Sequence, residues 1–338
     1  MDQDLDPEVG VVKLATGLVV ALLAVAGCAS DDRPREGTVA AKPQRASLVP
    51  PATPVIEPLP TFPQYEPGPE EPFPNAKRVA GQAVQQLLTY ERGATPADVA
   101  GRVGLSPSAT QQLTESVAPA VPPKTASVAE VIYPQMAGTT ETTYGAMVVV
   151  RQILQDAAGR RSAVTRTVDI RLRRTTGPWS VEQIASIGGS PTKRPADLSA
   201  SARRVLDSSR ITFTDSARWD IYRGAVDTRL LDALARAAER HRFSVAVLSS
   251  GHPRNVWQTD RRSAHSSGYA ADLYAVDGRL VVRQPKAGTP AYELAKSFAA
   301  SGVRQLGSPW DFDGPGRASF TDVVHRDHLH LQQAAASP

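Results

Sequence analysis

The histidines of this 338-residue chain are concentrated near its C-terminus. None precedes position 241, and four of the six lie in two short segments, residues 263–272 and 325–330. Imidazole and carboxylate side chains grouped in this way are typical of a metal site. A fold that uses both segments has to bring together parts of the chain that are more than fifty residues apart.

The composition is that of a soluble globular protein, with 41% apolar and 21% charged residues. The chain is long enough for two domains that each bury a core of their own. Its net charge of +4 comes from scattered arginines and not from a basic block. We therefore expect no nucleic-acid partner.

The N-terminus has the pattern of an export signal. Residues 14–27 form an apolar run that is too short to span a bilayer comfortably and that ends at Cys28. This ending resembles the lipobox of bacterial lipoproteins, and the resemblance implies a signal peptide over residues 1–28, lipidation of Cys28 and an extracytoplasmic protein anchored to the cell membrane. A plain secretory signal with an incidental cysteine is the alternative. Because the first residues are acidic where a signal should be basic, we hypothesise that translation starts at Val11 or Val12.

Proline dominates the segment that follows. Twelve of the 28 prolines fall between positions 34 and 74, and proline removes backbone donors and disfavours both helix and sheet. Residues 29–75 are therefore predicted to be a disordered, extended linker, with a proline-motif ligand as the alternative.

Residues 76–189 are predicted to be a first α+β domain. Three helical segments precede four strand-like segments, and in the third strand one face is apolar. The opposite face carries polar residues that the alternation places in solvent: Thr165, Thr167, Asp169, Arg171 and Arg173. This order is similar to the cone-shaped, cystatin-like fold of nuclear-transport-factor-two-like domains. Without histidine or cysteine the region has no evident catalytic group, so we expect an accessory module whose partner would be another envelope protein.

Residues 188–195 are rich in glycine and proline and separate this region from a second predicted α+β domain at residues 196–338. An amphipathic helix over residues 228–241 precedes a short apolar strand at residues 243–248. Two further strands are predicted, one beginning at Asp272 and one around residues 328–330.

The histidine-rich segments carry a recognisable motif. His265, Gly268, Ala270 and Asp272 stand in the spacing SxHxxGxAxD, and an HxH sequence follows near the C-terminus. This resembles the D-Ala-D-Ala metallopeptidase family of the lysostaphin, D-Ala-D-Ala peptidase and sonic hedgehog fold group, over residues 250–333. The resemblance implies an α+β zinc-peptidase domain that acts on peptidoglycan stem peptides as a carboxypeptidase or endopeptidase. It also implies one Zn²⁺ ion, and its ligands would be His265, Asp272 and His330.

The resemblance leaves two candidates for the catalytic base. Some members of the family have a glutamate three residues before the last ligand, and Asp327 occupies that position here. Members with an HxH ending have a histidine where this chain has His328, which we predict to be the base or a hydrogen-bond donor to the transition state, with His325 as its helper. Asp327 is then expected to orient His328.

Substrate contacts are predicted from the loop before the motif. The family commonly has an arginine shortly after the preceding strand, and Arg254 is the nearest match although it is displaced by one position. Arg261 and Arg262 are the reserve candidates, and Gln258 and Ser263 are expected to hydrogen-bond the substrate. The alternative to an enzyme is a non-catalytic lipoprotein of the same fold that binds zinc, wall peptide or a protein.

Overall fold

The computed structural model describes residues 56–333, and three helices precede a four-stranded sheet in its N-terminal part. The helices α1 to α3 are Pro74–Leu88, Pro96–Gly101 and Pro107–Val117. The strands β1 to β4 are Ala126–Thr139, Thr143–Gln155, Arg161–Arg173 and Ser180–Ser186. Thr95 and Ser106 cap α2 and α3 through their side chains, and proline occupies the first turn of each helix. The predicted order of helices and strands is confirmed.

The first sheet is antiparallel, with the strand order β1-β2-β3-β4, so β1 is an edge strand. Helix α1 packs on one face of this sheet. Val84, Leu87 and Leu88 are buried there against Val148 and Ile170, so the apolar stripe of the helix forms the first core.

The C-terminal part is built on a second, mixed sheet. Its helices α4 to α7 are Ala200–Leu206, Asp215–Tyr222, Thr228–Ala238 and Pro290–Ala300. Its strands β5 to β11 are Ile211–Phe213, Phe243–Val247, Ala270–Val276, Arg279–Leu280, Gln305–Gly307, Ser319–Phe320 and Leu329–Gln332. The strand order is β10-β9-β11-β7-β6-β5, with β8 paired to β7. The general α+β class is confirmed, whereas the cone-like and peptidase-type architectures remain predictions.

The second sheet brings the two histidine-rich segments together. Strands β7 and β11 are antiparallel neighbours, and His330 lies directly opposite Asp272 in their register. His265 lies in a short turn before β7, and Gly268 ends that turn with φ of 76°. A Cβ at Gly268 would lie 2.2 Å from the Ala225 carbonyl oxygen, so this reversal between His265 and Asp272 requires glycine.

The C-terminal part covers the face of the first sheet that α1 leaves open. Tyr133, Met147 and Val149 are buried there against Val247 and Tyr274 of the second sheet region. The two parts belong to one compact unit.

The C-terminal part packs on β3 and buries two of its polar residues. Thr167 and Asp169 are buried, and Thr167 Oγ1 donates a hydrogen bond to the Ala246 carbonyl oxygen. The prediction that these two residues face solvent is wrong, because strand alternation shows that a face is polar but not what packs on it.

The segment before α1 is also packed on the fold. Residues 56–73 contain no helix or strand, in keeping with their prolines. The Tyr65 ring nevertheless lies against Gly81, and the Gln155 side-chain amide donates to the Glu57 carbonyl oxygen at 2.8 Å. Residues 56–75 therefore differ from the predicted disordered linker.

The predicted signal peptide, Cys28 and residues 29–55 of the linker lie outside the described residues. Within residues 56–333, no helix combines the length and the apolar character that crossing a membrane requires.

Candidate metal centre

Three side-chain atoms from the two histidine-rich segments converge on one point. The distance from His265 Nε2 is 3.2 Å both to Asp272 Oδ1 and to His330 Nδ1. His330 Nδ1 lies 2.9 Å from Asp272 Oδ1. Ligand atoms at normal bond lengths around a tetrahedral Zn²⁺ are about 3.3 Å apart. The three donors therefore have the spacing that such an ion requires, with only small outward shifts.

Hydrogen bonds on the far side of two of these ligands, His265 and Asp272, fix their orientation. His265 Nδ1 lies 2.8 Å from the Leu248 carbonyl oxygen, which can only accept, so Nε2 presents its lone pair to the centre. Asp272 Oδ2 accepts a 2.9 Å hydrogen bond from Gln135 Nε2, which leaves Oδ1 for a metal. Such outer partners orient metal ligands and strengthen metal binding.

The charge states of Asp272 and His330 also suit a metal ligand. Burial alone would raise the pKa of Asp272, but His265 and His328 outweigh it and hold this pKa well below its usual value. Burial lowers the pKa of His330 to about 4. At neutral pH the carboxyl group is ionised and this imidazole is neutral, which are the forms that coordinate metal.

His252 is a further donor beside these ligands. Its ring stacks on the ring of His265 with centroids 4.0 Å apart, and burial lowers its pKa well below the usual value. The ligand atoms of His252, His265 and Asp272 lie within 4.8 Å of one another, so this group could hold a metal ion. The set that contains His330 is tighter, with spacings of 2.9–3.2 Å, and needs less movement to close on an ion.

Asp327 and His328 form a buried pair next to the centre. His328 Nδ1 lies 2.7 Å from Asp327 Oδ1. Asp327 Oδ2 accepts three more hydrogen bonds, from Lys77 Nζ at 2.7 Å, from the Met136 backbone N–H at 3.1 Å and from the Tyr133 hydroxyl at 3.2 Å. Four donors thus surround the two oxygens of Asp327, three of them at Oδ2, and hydrogen bonds of this kind stabilise the ionised form of a carboxylate.

The electrostatics distinguish the two members of this pair. Burial would raise the pKa of Asp327, but Lys77 and His328 hold it far below its usual value. Burial would lower the pKa of His328, but Asp272 and Asp327 outweigh burial and raise it. Nδ1 of His328 is bonded to Asp327. Nε2 of His328 is therefore the nitrogen that is available to the cleft, which His328 lines.

A cleft of about 940 Å³ opens over these groups. Met136, Gly138 and Met147 of the first sheet form one wall, and Trp257 lies against them. A Cβ on Gly138 would lie 2.2 Å from the Trp257 ring, so glycine there allows the tryptophan to pack on the strand. The cleft is thus walled by both parts of the chain.

His325 also lines the cleft. Its Nδ1 lies 2.7 Å from Asp322 Oδ1, and its ring centroid is 5.1 Å from that of His328. His325 therefore lies beside the predicted base, His328, in the same cleft, where a helper of that base is expected.

The predicted substrate contacts are placed differently. Arg254 is exposed and is not among the described residues that line the cleft, whereas Arg261 and Arg262 are. Gln258 Nε2 donates to Thr143 Oγ1 at 2.9 Å, so this side chain attaches the loop to the first sheet. Ser263 lines the cleft, and its Oγ accepts from the backbone N–H of His265. Arg254 and Gln258 are therefore not brought into the cleft.

Three residues at the site were not predicted from the sequence, namely Lys77, Tyr133 and Gln135. All three are buried in the N-terminal part and reach carboxylates of the C-terminal part. The available signal was a lysine on the apolar face of α1 and a glutamine within an apolar stretch of β1. Neither pattern shows which carboxylate the side chain meets.

Comparison of the chain with protein-family models, with curated proteins and with solved structures found no match in any of the three. The likeness to D-Ala-D-Ala metallopeptidases therefore rests on the residues of the two motifs.

Proposed function

We propose that this chain is a zinc-dependent peptidase that hydrolyses peptide stems of peptidoglycan. The observation that carries the proposal is the convergence of His265, Asp272 and His330 on one point, with the Asp327–His328 pair beside it. Two imidazoles and one carboxylate leave a fourth position for water or substrate, as in catalytic zinc sites.

His265 Nε2, Asp272 Oδ1 and His330 Nδ1 would hold the ion. Bound there, zinc would lower the pKa of a water molecule and polarise the scissile carbonyl group. The protein has to supply the group that takes the proton of this water and returns it to the leaving amine.

His328 is the residue for this proton transfer. With Nδ1 held by Asp327, a neutral His328 presents an unprotonated Nε2 to the cleft and can accept a proton there. Asp327 would stabilise the resulting imidazolium and keep the ring from rotating. Asp327 itself is a poor base, because four donors already surround its oxygens.

The cleft supports a peptide with carboxylate groups as substrate. Arg261, Arg262 and Arg304 line it, and guanidinium groups bind carboxylates in a bidentate manner. Peptidoglycan stems carry such groups. The choice of this polymer depends further on the family resemblance and on the proposed lipid anchor at Cys28, which would keep the protein at the outer side of the membrane.

The experiment that tests the function has two steps on the purified protein. Metal analysis should find one zinc per chain, and the zinc-loaded protein should release D-amino acids or cleaved stems from purified peptidoglycan. A protein with stoichiometric zinc that is inert on every wall fragment would favour the non-catalytic binding lipoprotein. A protein that binds no zinc would exclude the peptidase and leave a non-catalytic lipoprotein that binds wall peptide or a protein.

A further inference from the structure

Strand β1 of the first sheet touches both carboxylates of the candidate site. The Gln135 side chain donates to Asp272 Oδ2 at 2.9 Å, and the backbone N–H of the next residue, Met136, donates to Asp327 Oδ2 at 3.1 Å. Adjacent residues of one strand therefore hold a metal ligand and the partner of the proposed base.

The environment of Gln135 indicates that its amide has a specific task. The residue is fully buried, and Gln135 Oε1 has no hydrogen-bond partner among the described residues. A buried polar atom without a partner lowers stability, and an apolar side chain of the same size would avoid that loss. The bond to Asp272 is the one polar contact that the described structure gives to this side chain.

Lys77 makes the corresponding contact to Asp327. Its ammonium group is fully buried and donates to Asp327 Oδ2 at 2.7 Å, to the Tyr133 hydroxyl at 2.8 Å and to Glu71 Oε2 at 3.1 Å. An ammonium group has three N–H donors, so every donor is used and the position of Nζ is fixed. The lysine thus immobilises Asp327 from the side opposite His328.

These polar contacts are not alone in holding the two parts together. An apolar interface also does so, with Tyr133, Met147 and Val149 packed against Val247 and Tyr274. Burying charges is unfavourable for stability unless each is paired. The buried side chains of Lys77 and Gln135 each meet one of the two site carboxylates, which points to a role in the site.

We propose that the N-terminal part is a built-in component of the metal centre. Gln135 is a positioning residue for the ligand Asp272, and Lys77 is a positioning residue for Asp327. The inference rests on the proposed function in requiring a bound divalent metal, but its first test does not require hydrolysis. It assigns the first sheet a task beyond that of an accessory module.

The test for Gln135 is the zinc affinity of the full chain, measured by competition with a chelator. Loss of an outer partner typically weakens metal binding 10–100-fold, so we expect about that loss in Gln135→Leu and in Gln135→Met. The absorption bands of the cobalt(II) form should shift as well, because Asp272 gains freedom.

Gln152→Leu is the matched control. Gln152 is a buried glutamine of the neighbouring strand, and its amide contacts Ala120 and Ser127 far from the site carboxylates. Its replacement should lower stability but leave zinc affinity and the cobalt spectrum as in the wild type. If both Gln135 variants also bind zinc with wild-type affinity, the positioning role is excluded.

Lys77 is tested by kinetics on peptidoglycan fragments. Lys77→Met should lower kcat at least tenfold with KM and zinc affinity unchanged, and Lys77→Arg should recover part of kcat. Arg78→Met is the control, since Arg78 pairs with Glu66 at the surface. If Lys77→Met does not fold, Lys77→Met/Glu71→Gln removes the carboxylate that would be left unpaired. Wild-type kcat in folded Lys77→Met, or in the double variant, would overturn this part of the proposal.

The outcomes separate the inference from the function on which it rests. A wild-type protein that binds zinc but cleaves nothing refutes the peptidase and with it the role of Lys77, and the Gln135 experiment still decides the role of Gln135. Unchanged zinc affinity in the Gln135 variants refutes that role and leaves the peptidase standing.

Discussion

The first sheet donates hydrogen bonds to the site, whereas the second sheet supplies the groups that would bind metal and carry a proton. His265, Asp272 and His330 all come from the second sheet or the turn that leads into it. Lys77 and Gln135 come from α1 and β1, more than one hundred residues earlier in the chain. The groups that would bind metal and the two buried donors to the site carboxylates thus come from different parts of the molecule.

Strand pairing within the C-terminal part can bring the ligands together, but it does not orient their carboxylate oxygens. In the second sheet the pairing of β7 with β11 places Asp272 opposite His330 by register, so the ligands meet without help. Nothing in that register determines where the carboxylate oxygens point. Partners from outside have to do so, and Gln135 and Lys77 of the first part are such partners.

The largest effect is expected from removing a ligand. Asp272→Ala should weaken zinc binding roughly 10²–10⁴-fold, because a total zinc binding energy of about 10–16 kcal/mol is shared by few ligands. Turnover should be lost with the metal. Metal analysis after dialysis measures the effect, with the exposed Asp260→Ala as control. Full zinc retention by Asp272→Ala would refute the ligand set.

The second-largest effect is expected at His328, the proposed proton carrier. His328→Ala should reduce kcat by about 10²–10⁴, the usual contribution of general acid–base catalysis, while zinc stays bound. Single-turnover assays with parallel metal analysis check this. Should Asp327→Ala alone abolish turnover with zinc in place while His328→Ala stays active, the roles of the two residues would have to be exchanged.

A variant at the contact between the two parts should affect stability. Asp327→Asn removes one of the two carboxylate partners of the buried Lys77 ammonium, so we expect a loss of up to about 3–5 kcal/mol in the free energy of unfolding. Urea denaturation of the full chain measures it.

The control for this variant is Asp207→Asn, which breaks an exposed pair with Arg194 and should change stability by less than about 1 kcal/mol. Equal stability of both variants would show that the buried network does not link the two parts.

The smallest effect is expected at the cleft entrance. Arg262→Ala should raise KM a few-fold, up to about tenfold or 1.4 kcal/mol, because Arg262 lines the cleft where a substrate carboxylate would bind. Arg254→Ala should leave KM unchanged, since Arg254 is exposed away from it. Steady-state kinetics of the two variants decides between Arg254, the first candidate from the sequence, and the reserve candidate Arg262, which lines the cleft.

The contrast between the two parts also explains what could be predicted from the sequence. The strands, the capped helices α2 and α3 and the turn at Gly268 follow from local patterns, which the chain alone contains. The proximity of Asp272 and His330 was implied by the family resemblance of the two motifs, and the register of β7 and β11 places the two residues opposite each other.

Contacts across the docked parts could not be predicted in this way. Alternation in β3 showed a polar face at Thr167, but the partner that buries it comes from a different sheet. Gln135 is one glutamine among many until docking places it against Asp272. The loop that carries Gln258 was expected to face substrate, and its attachment to Thr143 depends on the same docking.

The metal centre is tested most directly by diffraction from crystals grown with Zn²⁺, using the anomalous signal at the zinc absorption edge. We predict one strong peak, about 2.0–2.2 Å from His265 Nε2, Asp272 Oδ1 and His330 Nδ1, with Gln135 still bonded to Asp272 Oδ2. A peak coordinated by His252 in place of His330, or no peak between these residues, would contradict the account.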